Sequence, residues 1–414
     1  MTSRQHRRVV VTGLGVFAPL GDDVDAVFER VYRAESAVET LDLGDYNGPP
    51  EVLIAGLSAR LEERLRWGPR SMARASRMAV LAAHDALTQA GLSDEPELRR
   101  SAGTYIGCGL GGAEILDDHM RRYTGLDRRR IQAATVPKVM ANGPAAHVSM
   151  EFGLEGPQIA HSIACASSTV AIGEAMRAIR HGYLDLAVVG GAEAQSTQAV
   201  MAAWKALRVT AAPHEDGVAV SCRPFDAERT GLVIGEGAAA LVLEAEDSAR
   251  ARGARVLAEV AGFGVSSDAH KLTEPRAEGQ AQAIRGALSD ADVEAARIGY
   301  VNAHATGTIA GDPVEIEAIR RAFGAAAEQV AVSSTKAVHG HLVGGAGALE
   351  ALLTIQALAQ GRIPPTAHLH TPDPTCDLDC VPLTGREAPE LEWGLSNSFA
   401  FGGMNAVLAL RRWT

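Results

Sequence analysis

Arg8-Val-Val-Val-Thr-Gly-Leu-Gly opens the first half of the chain, and Ala258-Glu-Val-Ala-Gly-Phe-Gly opens the second in the same manner. Later in each half a short apolar run passes through a small-residue turn into a long helical pattern, at Ile163-Ala-Cys-Ala-Ser-Ser and again at Val332-Ser-Ser-Thr-Lys. A period this long excludes a solenoid and predicts a duplicated α/β domain with a site between the halves. Strands are expected at 8–12, 103–106, 158–163, 186–189 and 238–243, then at 256–263, 298–302, 330–333, 394–398 and 406–410. Helices are expected at 71–90, 137–152, 167–181, 279–290, 313–323 and 346–360. This alternation predicts α/β units and a substantially parallel sheet. The junction falls near Ala245–Arg255, dividing the chain into residues 1–250 and 251–414. With no low-complexity linker, the halves are expected to pack as one body.

Composition removes several function classes. With 39 Lys and Arg against 50 Asp and Glu, the net charge is −11, unsuited to nonspecific nucleic-acid binding, which needs a basic face. Five cysteines among 414 residues are too few for a disulfide framework and read as free thiols. Cys376 and Cys380 have no companion His or Cys cluster, so no metal site is expected. The basic start leads only into Val9–Val11 before Thr12, too short for a secretory signal, and no apolar run is long enough to span a membrane. A cytoplasmic protein without a membrane partner is expected.

Four segments could carry chemistry. Cys165 follows a strand and precedes a helix that Ser167 or Ser168 could cap, where the positive end of the helix dipole favours a thiolate. A nucleophile and an inert buried cysteine fit that pattern equally. His304 ends an apolar strand, the usual place for ligand sites beside parallel strands, and Thr306 and Thr308 follow it with two hydroxyls. Taken alone, a lone histidine in this position fits a structural role, with a satisfied backbone contact, better than a catalytic one. His341 lies in a Gly-rich turn between Lys336 and Glu350, which could pair and hold the imidazole. As a phosphate loop the turn is weak, because no Gly-Lys-Ser/Thr ending completes it. Last, Phe401 sits in Phe399-Ala-Phe-Gly-Gly-Met, a glycine-bearing link between two strands that could cover a pocket.

In this order and spacing the segments, with Gly190-Gly-Ala-Glu, Arg223-Pro-Phe-Asp and Gly235-Glu-Gly-Ala, resemble the elongating type II β-ketoacyl-acyl-carrier-protein synthases of fatty acid and type II polyketide synthesis. The likeness spans nearly the whole chain. It implies the thiolase fold, a duplicated βαβαβαββ domain in a five-layer αβαβα sandwich. It implies that Cys165 becomes an acyl-enzyme and that His304 and His341 support decarboxylation of a malonyl thioester. The condensation then gives a 3-ketoacyl thioester. By the same resemblance Lys336 and Glu350 support the histidines, and the backbone N–H groups of Cys165 and Phe401 form an oxyanion hole. Thr306, Thr308, Phe401, Trp204 and Leu110 contact the pantetheine arm or acyl chain. No cofactor beyond the carrier's phosphopantetheine is implied.

The implied partner is an acyl carrier protein, typically acidic, so a local basic patch must offset the net charge. Arg66, Arg70 and Arg74, within a cluster that also holds Arg64 and Arg77, and Arg208 farther on are the expected docking residues; Arg128-Arg-Arg is a second candidate. A homodimer is expected, with a heterodimer containing a chain-length-factor-like subunit as the other arrangement. Ala400, Ile309, Leu232, Met404 and Trp204 depart from residues frequent in the family, which implies specialised chain handling in a polyketide or polyene pathway. Housekeeping fatty acid elongation is the alternative, as is a non-catalytic partner subunit. The latter typically lacks the nucleophile present here.

Overall fold

The structure, a computed structural model, describes residues 7–42, 51–66, 72–125 and 132–414. Arg70, Ser71 and the Arg128–Arg130 run lie outside the described residues.

Ten strands form the main sheet. The first half supplies β1 (Val9–Phe17), β2 (Gly103–Gly107), β3 (Gln158–His161), β4 (Leu186–Glu193) and β5 (Gly237–Ala245). The second supplies β6 (Ala258–Ser267), β7 (Tyr300–Asn302), β8 (Ala331–Ser333), β9 (Trp393–Phe399) and β10 (Met404–Arg412). The order across the sheet is β8-β7-β9-β10-β6-β1-β5-β4-β2-β3. Counted outward from the centre, β6-β10-β9-β7-β8 repeats β1-β5-β4-β2-β3 strand for strand, so the duplication read from the sequence is a duplication of topology. The halves join where Val10 and Val11 of β1 pair with Glu259 and Ala258 of β6.

The expectation of a substantially parallel sheet needs correction. Within the main sheet, parallel pairing among the described residues is confined to β4-β2-β3 and β9-β7-β8. The pairs β1-β5, β5-β4, β6-β10, β10-β9 and β1-β6 are antiparallel. Only four residues, Ala400–Gly403, separate β9 from β10, and a connection that short cannot make a parallel crossover.

Six helices complete the layers: α1 (Arg74–Gln89), α2 (Gly143–Phe152), α3 (Ser167–Arg180), α4 (Ala277–Asp290), α5 (Gly311–Phe323) and α6 (Ala346–Gln360). α1 covers β1 and β5 with α2 beside it, while α4 covers β6 and β10 with α5 beside it. α3 and α6 touch each other and strands of both halves, so the sheet folds around them and the layers run αβαβα. α6 is buried from Ala346 to Leu358, as expected for a helix apolar on all sides. Close approach of the central helices requires Gly347, where a Cβ would lie 2.1 Å from Thr169 Oγ1.

One expected helix is broken. Residues 137–152 form Thr135–Val139 and then α2, with Met140 extended at ψ 138° between them. Pro144 has no N–H to bond Met140 O, so a continuous helix would lack that link; in the first turn of α2 the missing donor costs nothing, and the helix restarts there. Among the described residues, no helix is long and apolar enough to cross a membrane.

Candidate active site

The end of β3 and the start of α3 set Cys165 in a tight turn. Ala164 adopts a left-handed φ of 43°. Ser167 Oγ accepts from Ile163 N at 2.8 Å and donates to Ala164 O at 2.6 Å. Neither serine caps α3 as the sequence led us to expect. The N-cap is Ala166, and Ser168 Oγ instead accepts from Ala348 N of α6 at 3.0 Å. Ser167 thus braces the turn that aims the thiol, while Ser168 ties α3 to the helix carrying Glu350.

His341 comes to Cys165 from the other half. Its Nε2 lies 2.9 Å from Cys165 Sγ. The turn carrying it is held by a 2.7 Å bond from its own N–H to Val233 O and a 2.9 Å bond from Gly235 N–H to His341 O. The His304 ring meets His341 edge-on, with centroids 5.3 Å apart and planes at 83°. One donor atom from each of Cys165, His304 and His341 lies within 4.8 Å of the others. Three residues far apart in the sequence therefore share one centre.

The electrostatics keep both imidazoles neutral. Burial lowers His304 and His341 well below 6.5, and the Lys336 ammonium adds to the shift. Burial pushes the Cys165 thiol up to about 12, with Lys336 and the backbone N–H groups of Phe401 and Cys165 acting against it. The thiolate favoured on helix-dipole grounds is therefore not the resting form, because desolvation outweighs the dipole and the nearby donors. Lys336 and Glu350 form an ion pair with both side chains wholly buried. Burial raises Glu350 and the ammonium draws it back.

These shifts fix the sign of an acid transition. The folded chain holds His304 and His341 unprotonated below their unfolded value of 6.5, where the unfolded chain takes up protons. The two sites stabilise the fold above that pH and progressively less as pH falls through it. Thermal melts between pH 8 and 5 should show Tm falling on the acid side of about 6.5; a Tm flat across that interval contradicts the burial of neutral imidazoles.

Two cavities meet at Cys165. One, of about 120 Å³, is lined by His304, His341, Thr306, Thr308 and Phe401. Thr306 Oγ1 donates to Thr308 Oγ1 at 3.3 Å. The other, of about 470 Å³, is apolar and is lined by Leu110, Ala164, Ala203, Leu207 and Val343. Trp204 and Phe401 line both, with ring centroids 6.2 Å apart, and form the partition. Ala400 does not have a positive φ, so its Cβ is compatible with this conformation of the loop.

The expected basic cluster separates on inspection. Arg74 turns inward and binds Glu236 through Nε at 2.7 Å and Nη2 at 2.6 Å, with Glu62 on its other side. Its charge is neutralised within the fold, which removes it from an outward-facing set. Arg64 is likewise paired with Asp22 and Asp85. Arg66 and Arg208 are exposed, and neither makes an ion pair among the described residues.

Sequence reasoning passed over Glu315. Its two oxygens accept the N–H groups of His304 at 2.9 Å and Ala305 at 2.7 Å, and Asn397 Nδ2 at 2.9 Å. Asp312 similarly accepts from Phe225 N at 2.9 Å and Gly307 N at 3.2 Å. Asp312 lies in the first turn of α5, where an acid reads as an ordinary helix-start residue, and Glu315 follows a turn later; the only signal was their closeness to His304.

The duplicated topology and a buried thiol with one imidazole in contact and a second beside it define a thiolase-fold protein built around a Cys-His-His centre. Residues 6–249 match the family model "Beta-ketoacyl synthase, N-terminal domain", and residues 257–370 match "Beta-ketoacyl synthase, C-terminal domain". The chain belongs to the β-ketoacyl synthase family. It is 40% identical over 407 residues to nodulation protein E of Rhizobium sp. (strain N33), covering 98% of this chain and 99% of that protein. It is 36% identical over 413 residues to 3-oxoacyl-[acyl-carrier-protein] synthase 2 of Staphylococcus aureus (strain COL), covering 99% of each. Among solved structures, the ishigamide ketosynthase/chain length factor superposes with a TM-score of 0.90 at 33% identity, covering 99% of this chain and 100% of that one.

Proposed function

We propose that the protein condenses an acyl group held on Cys165 with a malonyl group on an acyl carrier protein, releasing carbon dioxide and a 3-ketoacyl-carrier. The observation that carries this reading is the Cys165 thiol, 2.9 Å from His341 Nε2 and placed between a cavity that holds both imidazoles with Thr306 and Thr308 and a second, apolar cavity.

Cys165 Sγ attacks the acyl thioester as its proton passes to His341 Nε2, and the departing pantetheine sulfur takes that proton. Negative charge on the carbonyl oxygen falls to the N–H groups of Cys165 and Phe401, both of which act on the thiol at rest. The acyl chain lies in the apolar cavity. The malonyl arm enters past Thr306 and Thr308 and loses carbon dioxide, and the enolate oxygen is stabilised by neutral His304 and His341. The carbanion attacks the acyl-Cys carbonyl, and the tetrahedral adduct expels the Cys165 thiolate, which takes one proton from solvent to restore the thiol. Lys336 and Glu350 hold the field around the pair. No metal or diffusible cofactor enters this sequence. The first half, residues 1–250, supplies the nucleophile and the second, residues 251–414, the two histidines.

Purified protein given acyl-carrier and malonyl-carrier should release one carbon dioxide per 3-ketoacyl-carrier formed; carbon dioxide release without a ketoacyl product contradicts the proposal. Because both imidazoles rest neutral, kcat/KM should show no inflection near the ordinary imidazole value of about 6.5. A rate that halves near that pH contradicts the neutral-pair account.

Docking of an acidic carrier through Arg66 and Arg208 is supported by their exposure and by the lack of an ion pair to either among the described residues. Arg66→Glu with Arg208→Glu should raise KM for both carrier substrates about tenfold with little change in kcat, since outer charges act mainly on encounter. An unchanged KM at low salt contradicts this docking. Assembly with a second copy or a chain-length-factor-like subunit is supported by the open edge strand β3 and by the chamber's own wall, where Leu110 is 47% and Leu207 50% exposed. Trp204, Leu232 and Ala400 around the thiol support a specialised acyl group, in a polyketide or polyene pathway.

A further inference from the structure

Glu193 ends β4 with its side chain wholly buried, and no cation pairs with it among the described residues. Hydrogen-bond donors take the place of a counter-ion. Oε2 accepts from Gly109 N at 2.7 Å and from Gly344 N at 3.1 Å, and Oε1 accepts from Leu110 N at 3.2 Å. The Gln195 side chain also bonds the carboxylate, while Gln195 Oε1 accepts the Trp204 indole N–H at 3.0 Å. The Gly344 approach is closed to other residues, since a Cβ there would lie 2.7 Å from Glu193 Oε2.

Every segment so held belongs to the wall of the apolar cavity. Gly109 and Leu110 form one side, Val343 precedes Gly344 on another, and Gln195 and Trp204 form the side facing Phe401. One carboxylate thus joins the ends of two neighbouring strands, β2 and β4, to the Gly344 turn of the other half, and all three line this chamber or adjoin a residue that does. A structural glutamate could be satisfied by any donors nearby; here the donors are those of the chamber and its partition.

We infer that Glu193 is a positioning residue for acyl-chain selection, fixing the chamber's walls directly and the Trp204 partition through Gln195. The inference rests on the proposed use of the apolar cavity for the acyl chain. Glu193→Gln keeps the size of the side chain but replaces one acceptor oxygen by an NH2 that faces backbone N–H groups.

The test follows two half-reactions of the purified protein: acylation of Cys165 from a series of saturated acyl-carriers of increasing length, by intact mass, and carbon dioxide release from malonyl-carrier. For Glu193→Gln, the ratio of long-chain acylation to carbon dioxide release should fall by about tenfold or more, and the preference among chain lengths should flatten. Parallel loss of both half-reactions, or loss of neither, overturns the inference. Should that variant fail to fold, Gln195→Leu removes the link between the carboxylate and the Trp204 indole while leaving Glu193 and its three backbone donors in place, and should shift the preferred length; an unchanged preference overturns it equally. Ala203→Trp tests the chamber itself by filling it. If long-chain acylation survives that change, the acyl-chamber reading fails, separately from the role of Glu193.

Discussion

Changing His304 and His341 together to Ala should abolish condensation, with carbon dioxide release from malonyl-carrier reduced by at least about a thousandfold. Loss of one preorganised donor to a developing oxyanion costs about a hundred- to a thousandfold, and here both are removed. The single changes should separate. His341 Nε2 is in contact with Cys165 Sγ, whereas the His304 ring meets only the other imidazole and Phe399 among its ring contacts. His341→Ala should therefore slow both acylation of Cys165 and carbon dioxide release. His304→Ala should leave acylation far less affected than release. Equal loss of both half-reactions in His304→Ala contradicts this division.

The second large effect is on the fold. Lys336→Met leaves Glu350 wholly buried without its cation, and removing one partner of a buried pair costs about 3–5 kcal/mol. Melting or denaturant titration should register that loss. Changing both residues, Lys336→Met with Glu350→Leu, should recover much of it, because two apolar side chains leave no uncompensated charge. The double variant should still be impaired in decarboxylation, since Lys336 lowers both histidines. If the single and double variants lose the same stability, the pair is not coupled as described.

The nucleophile and its two imidazoles were legible in the sequence because each lies in a short segment of distinctive composition, and together they matched a family. Their convergence was expected from the resemblance and from a site between the halves, but the packing that produces it was not legible: Cys165 lies on a turn of the first half and His304 and His341 on turns of the second, and the pseudo-symmetric packing around α3 and α6 joins them. The repeat of Arg8–Gly15 by Ala258–Gly264 pointed to duplication, and the strand order bears it out. The direction of the strands was misjudged although the short link between the expected strands at 394–398 and 406–410 already left no room for a parallel crossover. Arg74 looked like part of an exposed basic cluster because Glu236, its main partner, is remote in sequence. Glu193 and Glu315 escaped notice for a related reason: their work is to accept backbone N–H groups, which every sequence position but proline offers. Desolvation of the Cys165 thiol depends on what closes over it, and no local motif records that.

The most direct measurement of the account is the intact mass of the protein after exposure to acyl-carrier, with the modified residue located by peptide mapping. One acyl group per chain, on Cys165, that disappears when malonyl-carrier is added and never forms in a folded Cys165→Ala variant is the expected result. An acyl group on another residue, or an adduct that persists in the Cys165→Ala variant, contradicts the assignment of this thiol as the centre where the two cavities exchange their contents.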